Sequence, residues 1–207
     1  MALLSLRKAS DSTSFVIEEK DIIVGYDSTN GTKIEYVNNQ SGRRDVIEVD
    51  DTTLAITDVS EKLLFLSFAD YPTAAGFINM DRIYSLNDNS DSNCVVIYDR
   101  GTTQKGKYIM TASKADVLVA MYEKQGYLVY AVESYSGLDI VFPAATGDIS
   151  AKFQAAEILT IFGALDVNNG TYVVDSVAFG GGKTTVTLDT TGVEDDADTT
   201  GYVMVKA

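Results

Sequence analysis

The feature of this sequence that most constrains its fold is an internal repeat offset by 61 residues. Residues 3–38 match residues 64–99 in their apolar pattern and polar loops without a gap, although few residues are identical. Three apolar positions illustrate the match: Leu3 with Leu64, Ile17 with Ile78, and Ile22 with Ile83. Self-similarity at a fixed offset indicates two copies of one small structural unit.

Each repeat carries the residue types of a small β-unit. Runs of Val, Ile, Thr and Tyr between polar loops predict strands, because β-branched and aromatic side chains pack well on a pleated sheet. The stretches DSTNG (27–31) and DNSDSN (88–93) are typical of hairpin turns. SGRRDVIEV (41–49) and QKGKYIM (104–110) add a final strand to each repeat. The order of predicted elements is therefore the same in both repeats.

A helix is predicted at the end of each repeat. Ser113 with Asp116 three residues later resembles a capping box at the start of TASKADVLVAMYEKQ (111–125). The corresponding stretch DTTLAITDVSEKLL (51–64) is richer in β-branched residues. Such residues lower helix propensity, so the helix of the first repeat is expected to be the weaker one.

The chain changes texture after Gly126, where strands joined by Gly and Asn turns replace the repeat pattern. The sequence thus predicts a mainly β protein with one or two short helices. Two related N-terminal β-rich units are followed by a C-terminal module that resembles a β-barrel or sandwich. The predicted segments are 1–62, 63–126, a linking strand and loop at 127–148, and the C-terminal module at 149–207.

The stretch AFGGGKTTVTLD (178–189) looks like a phosphate-binding loop at first sight. The nucleotide-binding pattern G-x-x-x-x-G-K-[ST] requires a glycine where this chain has Val177, and its lysine must open a helix. Here Lys183 opens a run that alternates polar and apolar residues, which predicts a strand. The glycines therefore predict a hairpin turn and no nucleotide site.

The charge of the chain limits its partners. Its 30 acidic and 16 basic side chains give a formal net charge of −14. This balance argues against binding naked nucleic acid, which needs clustered Lys and Arg, and against an anionic membrane surface. No stretch approaches the roughly 20 apolar residues of a membrane span. MALLSLRKAS (1–10) is too short for a secretory signal, so we expect folding in a cytoplasm.

The residue inventory argues against catalysis. The chain has no histidine, no tryptophan and one cysteine, Cys94, which lies in the apolar run NCVVIYD and is expected to be buried. A catalytic thiol would need a histidine partner. Carboxylate pairs of the kind that glycosidases use arise by chance among 30 acids. The sequence therefore predicts a protein that is not an enzyme and needs no cofactor.

A weak metal candidate lies in VEDDADTTGY (193–202). Asp196, Asp198 and Thr200 occupy positions 1, 3 and 5 of a calcium-binding loop. Position 12 would be Ala207, so the bidentate glutamate of such loops is missing. A solvated acidic loop is the simpler interpretation of this stretch, and also of the acidic loop at 88–93, with a weak calcium or magnesium contact as the alternative.

The C-terminal stretch resembles a small β-module of tailed-bacteriophage virion proteins. In that module a phenylalanine precedes a Gly-Asp step, an ITI-Gly strand, an Asn-rich turn, TYxVxSV and a TTITV strand. Ala156 and Glu157 depart from the pattern where the module has Gly-Asp. The matching positions are Phe153, Ile158, Thr160, Ile161, Gly163, Asn168, Asn169, Gly170, Thr171, Tyr172, Val174, Ser176, Val177, Thr185, Val186 and Thr187.

The second repeat resembles small phage-encoded β-domains with the pattern INxDxI. FINMDRIYSL (77–86), CVVIYD (94–99) and KYIMTASKADVLVAM (107–121) carry this likeness. Together the two resemblances imply a virion structural protein assembled in the host cytoplasm, most simply a capsid auxiliary or decoration protein. Its implied partners are the major capsid protein, other virion proteins or further copies of itself. A tail or neck component and a surface carbohydrate-binding or adhesion module remain alternatives.

Two short segments are candidates for partner contacts. Leu3, Leu4 and Leu6 form an apolar N-terminal run, which is expected to add a strand to the sheet edge of a neighbour. Arg43 and Arg44 are the only adjacent arginines in the chain and could face an acidic subunit. A solvated turn held by local acids is the simpler interpretation of the arginine pair.

Overall fold

The protein divides into two compact units, residues 1–124 and 125–207. The structure is a computed structural model that describes residues 3–58, 60–69, 75–90, 93–100, 105–164, 168–189 and 201–207. The first unit contains both sequence repeats. The second contains the C-terminal module.

The two repeats fold into the same order of elements. In each, two strands lead through a single 3₁₀ turn into three more strands and a helix. The first repeat comprises β1 (Leu3–Arg7), β2 (Ser14–Glu18), the turn Glu19–Asp21, β3 (Ile22–Ser28), β4 (Gly31–Asn38), β5 (Arg43–Val49) and α1 (Thr53–Asp58). The second comprises β6 (Leu63–Ser67), β7 (Ala75–Asn79), the turn Met80–Arg82, β8 (Ile83–Ser90), β9 (Asn93–Asp99), β10 (Lys105–Met110) and α2 (Lys114–Lys124).

The structure corrects the gapless alignment of the repeats in two strands. The offset is 61 residues from β2 to β7, from β3 to β8 and from β5 to β10. Between β4 and β9 it is 62, because Ile22 pairs with Tyr36 whereas Ile83 pairs with Tyr98. Leu4 pairs with Ile17, however, and it is Leu64 that pairs with Ile78, so β1 and β6 differ by 60 residues. The extra residue of the second repeat lies between β6 and β7. Leu3 therefore corresponds to Leu63, and Leu64 corresponds to Leu4.

The helices begin where the sequence predicts. In α2 the Ser113 hydroxyl accepts from the Asp116 amide at 3.1 Å, and the Asp116 carboxylate accepts from the Ser113 amide at 3.3 Å. This reciprocal pair is a capping box, which satisfies amides that the first turn leaves unpaired. In the first repeat α1 is only six residues long, as its β-branched composition predicts.

The strands of the first unit form one continuous row of neighbours. β3 pairs on one side with β4, which in turn pairs with β5, and on its other side β3 pairs with β7 of the second repeat. A short bridge joins the end of β1 to β5 at Lys8 and Val49, and an equivalent bridge joins β6 to β10 at Phe68 and Met110. The order along the row is β2-β1-β5-β4-β3-β7-β6-β10-β9-β8.

Each repeat has its own apolar core between its first two strands and its last three. In the first core, side chains of β1 and β2 pack on those of β3, β4 and β5, and Leu63 and Phe77 from the second repeat join them. The second core is built in the same way from β6 to β10 with Val117 of α2, and it receives Ile23 and Val24 from the first repeat. Each repeat thus contributes side chains to the core of the other, on the two sides of the β3–β7 pair.

The second unit is a β-barrel. Its strands are β11 (Tyr127–Ala131), β12 (Ser134–Ser136), β13 (Asp139–Val141), β14 (Ile158–Phe162), β15 (Gly170–Gly180), β16 (Lys183–Leu188) and β17 (Tyr202–Lys206). They pair in the antiparallel order β11-β17-β14-β15-β16-β13-β12.

The barrel closes because β11 runs directly into β12. The amide of Val132 donates to Gly201 beside β17, and the next amide, of Glu133, donates to Val141 in β13. Successive amides of a strand point to opposite edges, so one stretch of chain joins the first and last neighbours. Three strands that the sequence analysis assigned to a link at 127–148 therefore belong to the barrel wall. Phe142, Phe153 and Leu159 lie in its core.

The fold class predicted from the sequence is confirmed: the protein is mainly β, with two short helices in its described residues. Period-two apolar patterning explains this outcome in β9, β10 and β16, where buried residues alternate with more exposed ones.

Candidate interaction surface

The junction between the repeats shows how two copies of this unit fit together. β7 pairs antiparallel with β3 through Val24 with Ile78, Gly25 with Phe77, and Tyr26 with Gly76. A Cβ on Gly25 would lie 2.2 Å from the Cζ atom of Phe77. Gly25 thus leaves the space that the Phe77 ring fills, since no side chain fits between strand and ring.

Buried polar groups also cross this junction. The side-chain amide of Asn79 donates to the carbonyls of Glu19 at 2.9 Å and Ile22 at 3.1 Å. The Glu19 carboxylate accepts from the Lys62 amide at 2.9 Å and from the Ser60 hydroxyl. Because each of these groups is removed from water, its hydrogen bonds hold the repeats in one register.

The same row of strands ends in two edges that have no strand partner in the described part of the chain. One is the outer edge of β2, and the other is the outer edge of β8. Exposed strand edges present unpaired amides and carbonyls to any strand that approaches, so they are natural places for another chain to bind. We refer to residues 14–18 as the β2 edge and to residues 83–90 as the β8 edge.

The β2 edge forms one wall of a groove of about 410 Å³. Leu3 and residues 15–18 line one side of the groove, and residues 36–40 line the other. The Phe15 and Tyr36 rings contact each other edge to face, with centroids 5.5 Å apart. Burial, and then the charge of Asp45, raise the pKa of the Tyr36 phenol, so Tyr36 stays neutral at physiological pH. The groove therefore combines aromatic and apolar side chains with the carboxylates of Glu18 and Asp21.

The β8 edge exposes an aromatic side chain. Tyr84 sits at a bulge where the pairing of β8 with β9 shifts between Ile83 and Ser85. The Lys105 ammonium lies over the Tyr84 ring. Next to it, Leu86 is half-buried against the second core. Apolar side chains therefore flank the unpaired backbone at this edge as well.

The structure divides the N-terminal leucines that the sequence singled out. Leu4 and Leu6 are buried in the first core of their own chain, and β1 already pairs with β2. They are therefore corrected from partner contacts to core residues. Leu3 is exposed and lines the groove beside β2. The strand that offers an edge is β2, because β1 lies between β2 and β5.

The adjacent arginines also differ. A guanidinium nitrogen of Arg44 lies 2.9 Å from a carboxylate oxygen of Glu35, which is almost fully buried. Arg44 therefore balances a buried charge within the chain, and its loss would leave that charge uncompensated. Arg43 is exposed at the start of β5 and is the one of the two that can face a partner.

The proposed metal ligands cannot be placed. Asp196, Asp198 and Thr200 lie outside the described residues. Among the residues that are described, no group of three or more Cys, Asp and Glu side chains is arranged to hold a metal ion.

The glycine-rich stretch forms the turn that the sequence predicts. Gly181 and Gly182 connect β15 to β16, and their φ angles are 59° and 81°. Two successive positive φ angles define a type I′ hairpin turn, which glycine adopts without strain. The Lys183 ammonium, 2.5 Å from the Glu133 carboxylate, is held against the barrel wall.

Cys94 is fully buried in β9, and burial raises the pKa of its thiol, with Asp88 adding to the effect. A thiol in this setting behaves as a small apolar side chain and is a poor nucleophile. No helix in the described residues has the length and apolar character needed to cross a bilayer.

Sequence reasoning missed Val16 and Tyr84, the two exposed apolar side chains at the free edges. The repeat alignment contained the signal. When both repeats have an apolar residue at the same position, both residues are expected to be buried, and only the structure shows that one of the two is exposed.

No family model matches this sequence, and neither a curated protein nor a solved structure was found to be similar to it.

Proposed function

We propose that this protein is a non-enzymatic virion structural protein of a tailed phage, most specifically a capsid auxiliary or decoration protein. It acts by multivalent protein–protein contacts. The observation that carries the proposal is the pair of strand edges that have no strand partner in the described residues, each flanked by exposed apolar side chains, on one compact unit of two repeats. The resemblance of the C-terminal barrel sequence to a phage virion module supplies the biological setting.

This arrangement suits a protein that binds to a lattice. Each copy needs only a modest interface, because a particle offers many neighbours and avidity multiplies weak contacts. Bound copies in turn stabilise the assembled lattice by mass action. The net charge of −14 favours solubility of the copies that have not yet bound to the particle.

The experiment that tests the function is peptide mass spectrometry on gradient-purified particles of the phage that encodes the chain. We expect its peptides at a stoichiometry of many copies per particle, and gold-labelled antibody on the capsid. Gold label at the tail or neck would still support a virion structural protein, but it would indicate a tail or neck component instead of a decoration protein. Absence from purified particles would contradict the proposal.

A further inference from the structure

Each end of the row of strands carries the counterpart of one of the two strands that pair at the internal junction. By the offset between repeats, β2 is the counterpart of β7, and β8 is the counterpart of β3. β7 and β3 pair with each other inside the chain, whereas β2 and β8 lack that partner in the described residues. The free edge at one end of the row therefore matches the free edge at the other.

The side chains exposed at the two ends are the counterparts of side chains buried at the junction. Leu3 and Val16 are 64% and 57% exposed, whereas their counterparts Leu63 and Phe77 are fully buried. Tyr84 is 67% exposed, and its counterpart Ile23 is fully buried in the second core. Both Ile23 and Tyr84 sit at a bulge in the same place of their strand. Large apolar side chains at these positions are explained if a second unit covers them.

From these correspondences we propose that the β2 edge of one copy pairs antiparallel with the β8 edge of a second copy of this chain. The register is the one in which β7 pairs with β3. It places Ile17 opposite Ser85, Val16 opposite Leu86, and Phe15 opposite Asn87. The proposal deepens the proposed function by naming the first partner of the assembly protein, but its test needs no phage particle.

The volumes at the centre of the joint are complementary. Inside the chain, a large ring, Phe77, covers a residue without a side chain, Gly25. In the joint between copies, the corresponding residues are Val16 and Leu86. One side chain is smaller than its counterpart and the other is larger, so two medium-sized groups share the space that one ring fills. Volume-conserving exchanges of this kind preserve packing.

The groove beside β2 lies on the side where the incoming strand is needed. At the internal junction β3 lies along the outer edge of β7, and the groove of about 410 Å³ runs along the outer edge of β2. β8 of a second copy enters there. Leu3 and Val16 line the groove and come into contact with that strand.

One difference makes the joint between copies weaker than the internal junction. Asn79 donates two hydrogen bonds across the junction, and its counterpart in the first repeat is Glu18. A carboxylate cannot donate, and Glu18 is paired with Lys20 at 2.6 Å. The joint lacks those two bonds, so it is reversible, and copies can exchange during assembly.

Because the two edges differ, the contact is heterologous and leaves a free edge at each end of a dimer. Repetition of the same step gives a closed ring where the rotation closes and a filament where it does not. The wild-type protein is therefore expected to form oligomers larger than a dimer.

The test uses two variants that each block one edge of the full-length chain. Val16→Glu places a carboxylate in the β2 edge, and Tyr84→Glu places one in the β8 edge. Each side chain is exposed in the single copy, so the fold is expected to survive, and circular dichroism melting checks this. Leu3→Glu and Leu86→Glu are second variants for the two edges. Val46→Glu is the matched control, because Val46 is a similarly exposed valine (51%) in β5, which has β4 and β1 as neighbours and offers no free edge.

Native mass spectrometry and sedimentation give the outcome. We expect the wild-type protein and Val46→Glu to form oligomers, and each edge variant alone to dissociate with a Kd raised about 30-fold or more. Mixing the two edge variants should give a 1:1 heterodimer and nothing larger, because the mixture retains one intact joint. A wild-type protein that stays monomeric at high micromolar concentration would overturn the proposal.

Two further outcomes would also overturn it. Dissociation of Val16→Glu alone, with Tyr84→Glu unaffected, would indicate a symmetric contact between two β2 edges. Edge variants that remain monomeric when mixed would show that β2 and β8 do not meet. A chain that assembles as proposed but is absent from purified particles would contradict the proposed function and leave this inference standing.

Discussion

The hairpins β1–β2 and β6–β7 occupy the same place in the two repeats and differ in what covers them. β6–β7 contributes buried side chains from both of its faces, Leu64 and Ile78 to the second core and Leu63 and Phe77 to the first. β1–β2 buries only the face that carries Leu4, Leu6 and Ile17. On the outer face of β1–β2, Leu3 and Val16 are exposed, and none of the described residues covers them.

The C-terminal barrel sharpens this contrast. Its ring of strands has no first and last member, because the stretch from β11 to β12 joins the two ends. The repeat unit uses similar strands in an open row with two ends. Closure removes edges, whereas an open row keeps them available for other chains. The proposed contact between copies is therefore expected at the repeats rather than at the barrel wall.

The largest effect is expected at the covered hairpin. Phe77→Ala removes a fully buried ring from the first core, which should lower the free energy of unfolding by about 3–5 kcal/mol. Val16→Ala, at the counterpart position, should change it by less than about 0.5 kcal/mol in a monomer. Urea unfolding followed by circular dichroism, in the Tyr84→Glu background where a monomer is needed, measures both. Equal losses would remove the distinction between covered and uncovered hairpins.

The next effect concerns the polar contacts of the junction. Asn79→Ala removes two donors to buried carbonyls and the acceptor for the Asp81 amide, at a cost of about 3 kcal/mol. Glu18→Ala, the counterpart change, removes only a surface ion pair with Lys20 and should cost less than about 1 kcal/mol. Hydrogen exchange of the β3 and β7 amides should rise in Asn79→Ala alone. Unchanged hydrogen exchange of the β3 and β7 amides in Asn79→Ala would show that the Asn79 side chain does not stabilise the junction.

A smaller loss is expected from filling the space that Gly25 leaves. Gly25→Ala forces a methyl group against the Phe77 ring and should cost about 2 kcal/mol. The double variant Gly25→Ala with Phe77→Leu should recover part of that loss, because it moves the internal pair toward the medium-sized pair of the free edges. A double-mutant cycle on urea midpoints tests this. Additive losses would show that the two positions do not share one space.

The smallest effect is expected in the barrel. Lys183→Ala removes a half-exposed ion pair with Glu133, so stability should fall by less than about 1 kcal/mol. The melting temperature should not respond to ATP with magnesium in either the wild-type protein or the variant. A saturable rise that disappears in Lys183→Ala would reinstate the glycine-rich turn as a nucleotide site.

Local rules predicted much of this fold from the sequence. The alternating pattern of β16, the capping pair at Ser113, and the Gly-Gly turn each follow from a few neighbouring residues, so pattern alone predicted them. The offset of the repeats was also visible, apart from the one-residue shifts in the first and fourth strands. Those shifts depend on which face of each strand meets the core, and neighbouring residues do not determine it.

The interaction surface could not be predicted in this way. Leu4 and Val16 are both apolar residues in short strands, and only the pairing of β1 with β2 and β5 shows which is core and which is surface. The role of β13 was missed for a similar reason. β13 has only three residues, which is too few to show an alternation of apolar and polar side chains. Closure of the barrel depends on strand partners that lie far along the chain.

The most direct test of the account is cross-linking between copies at the centre of the proposed joint. Val16→Cys in one chain is mixed with Leu86→Cys in another and treated with a short thiol-to-thiol cross-linker. The native Cys94 does not compete, because it is buried and burial raises the pKa of its thiol. The account predicts a covalent heterodimer in high yield, and little product when Val46→Cys replaces Val16→Cys. Equal yields from the two pairings, or no Val16–Leu86 product, would contradict head-to-tail assembly through β2 and β8.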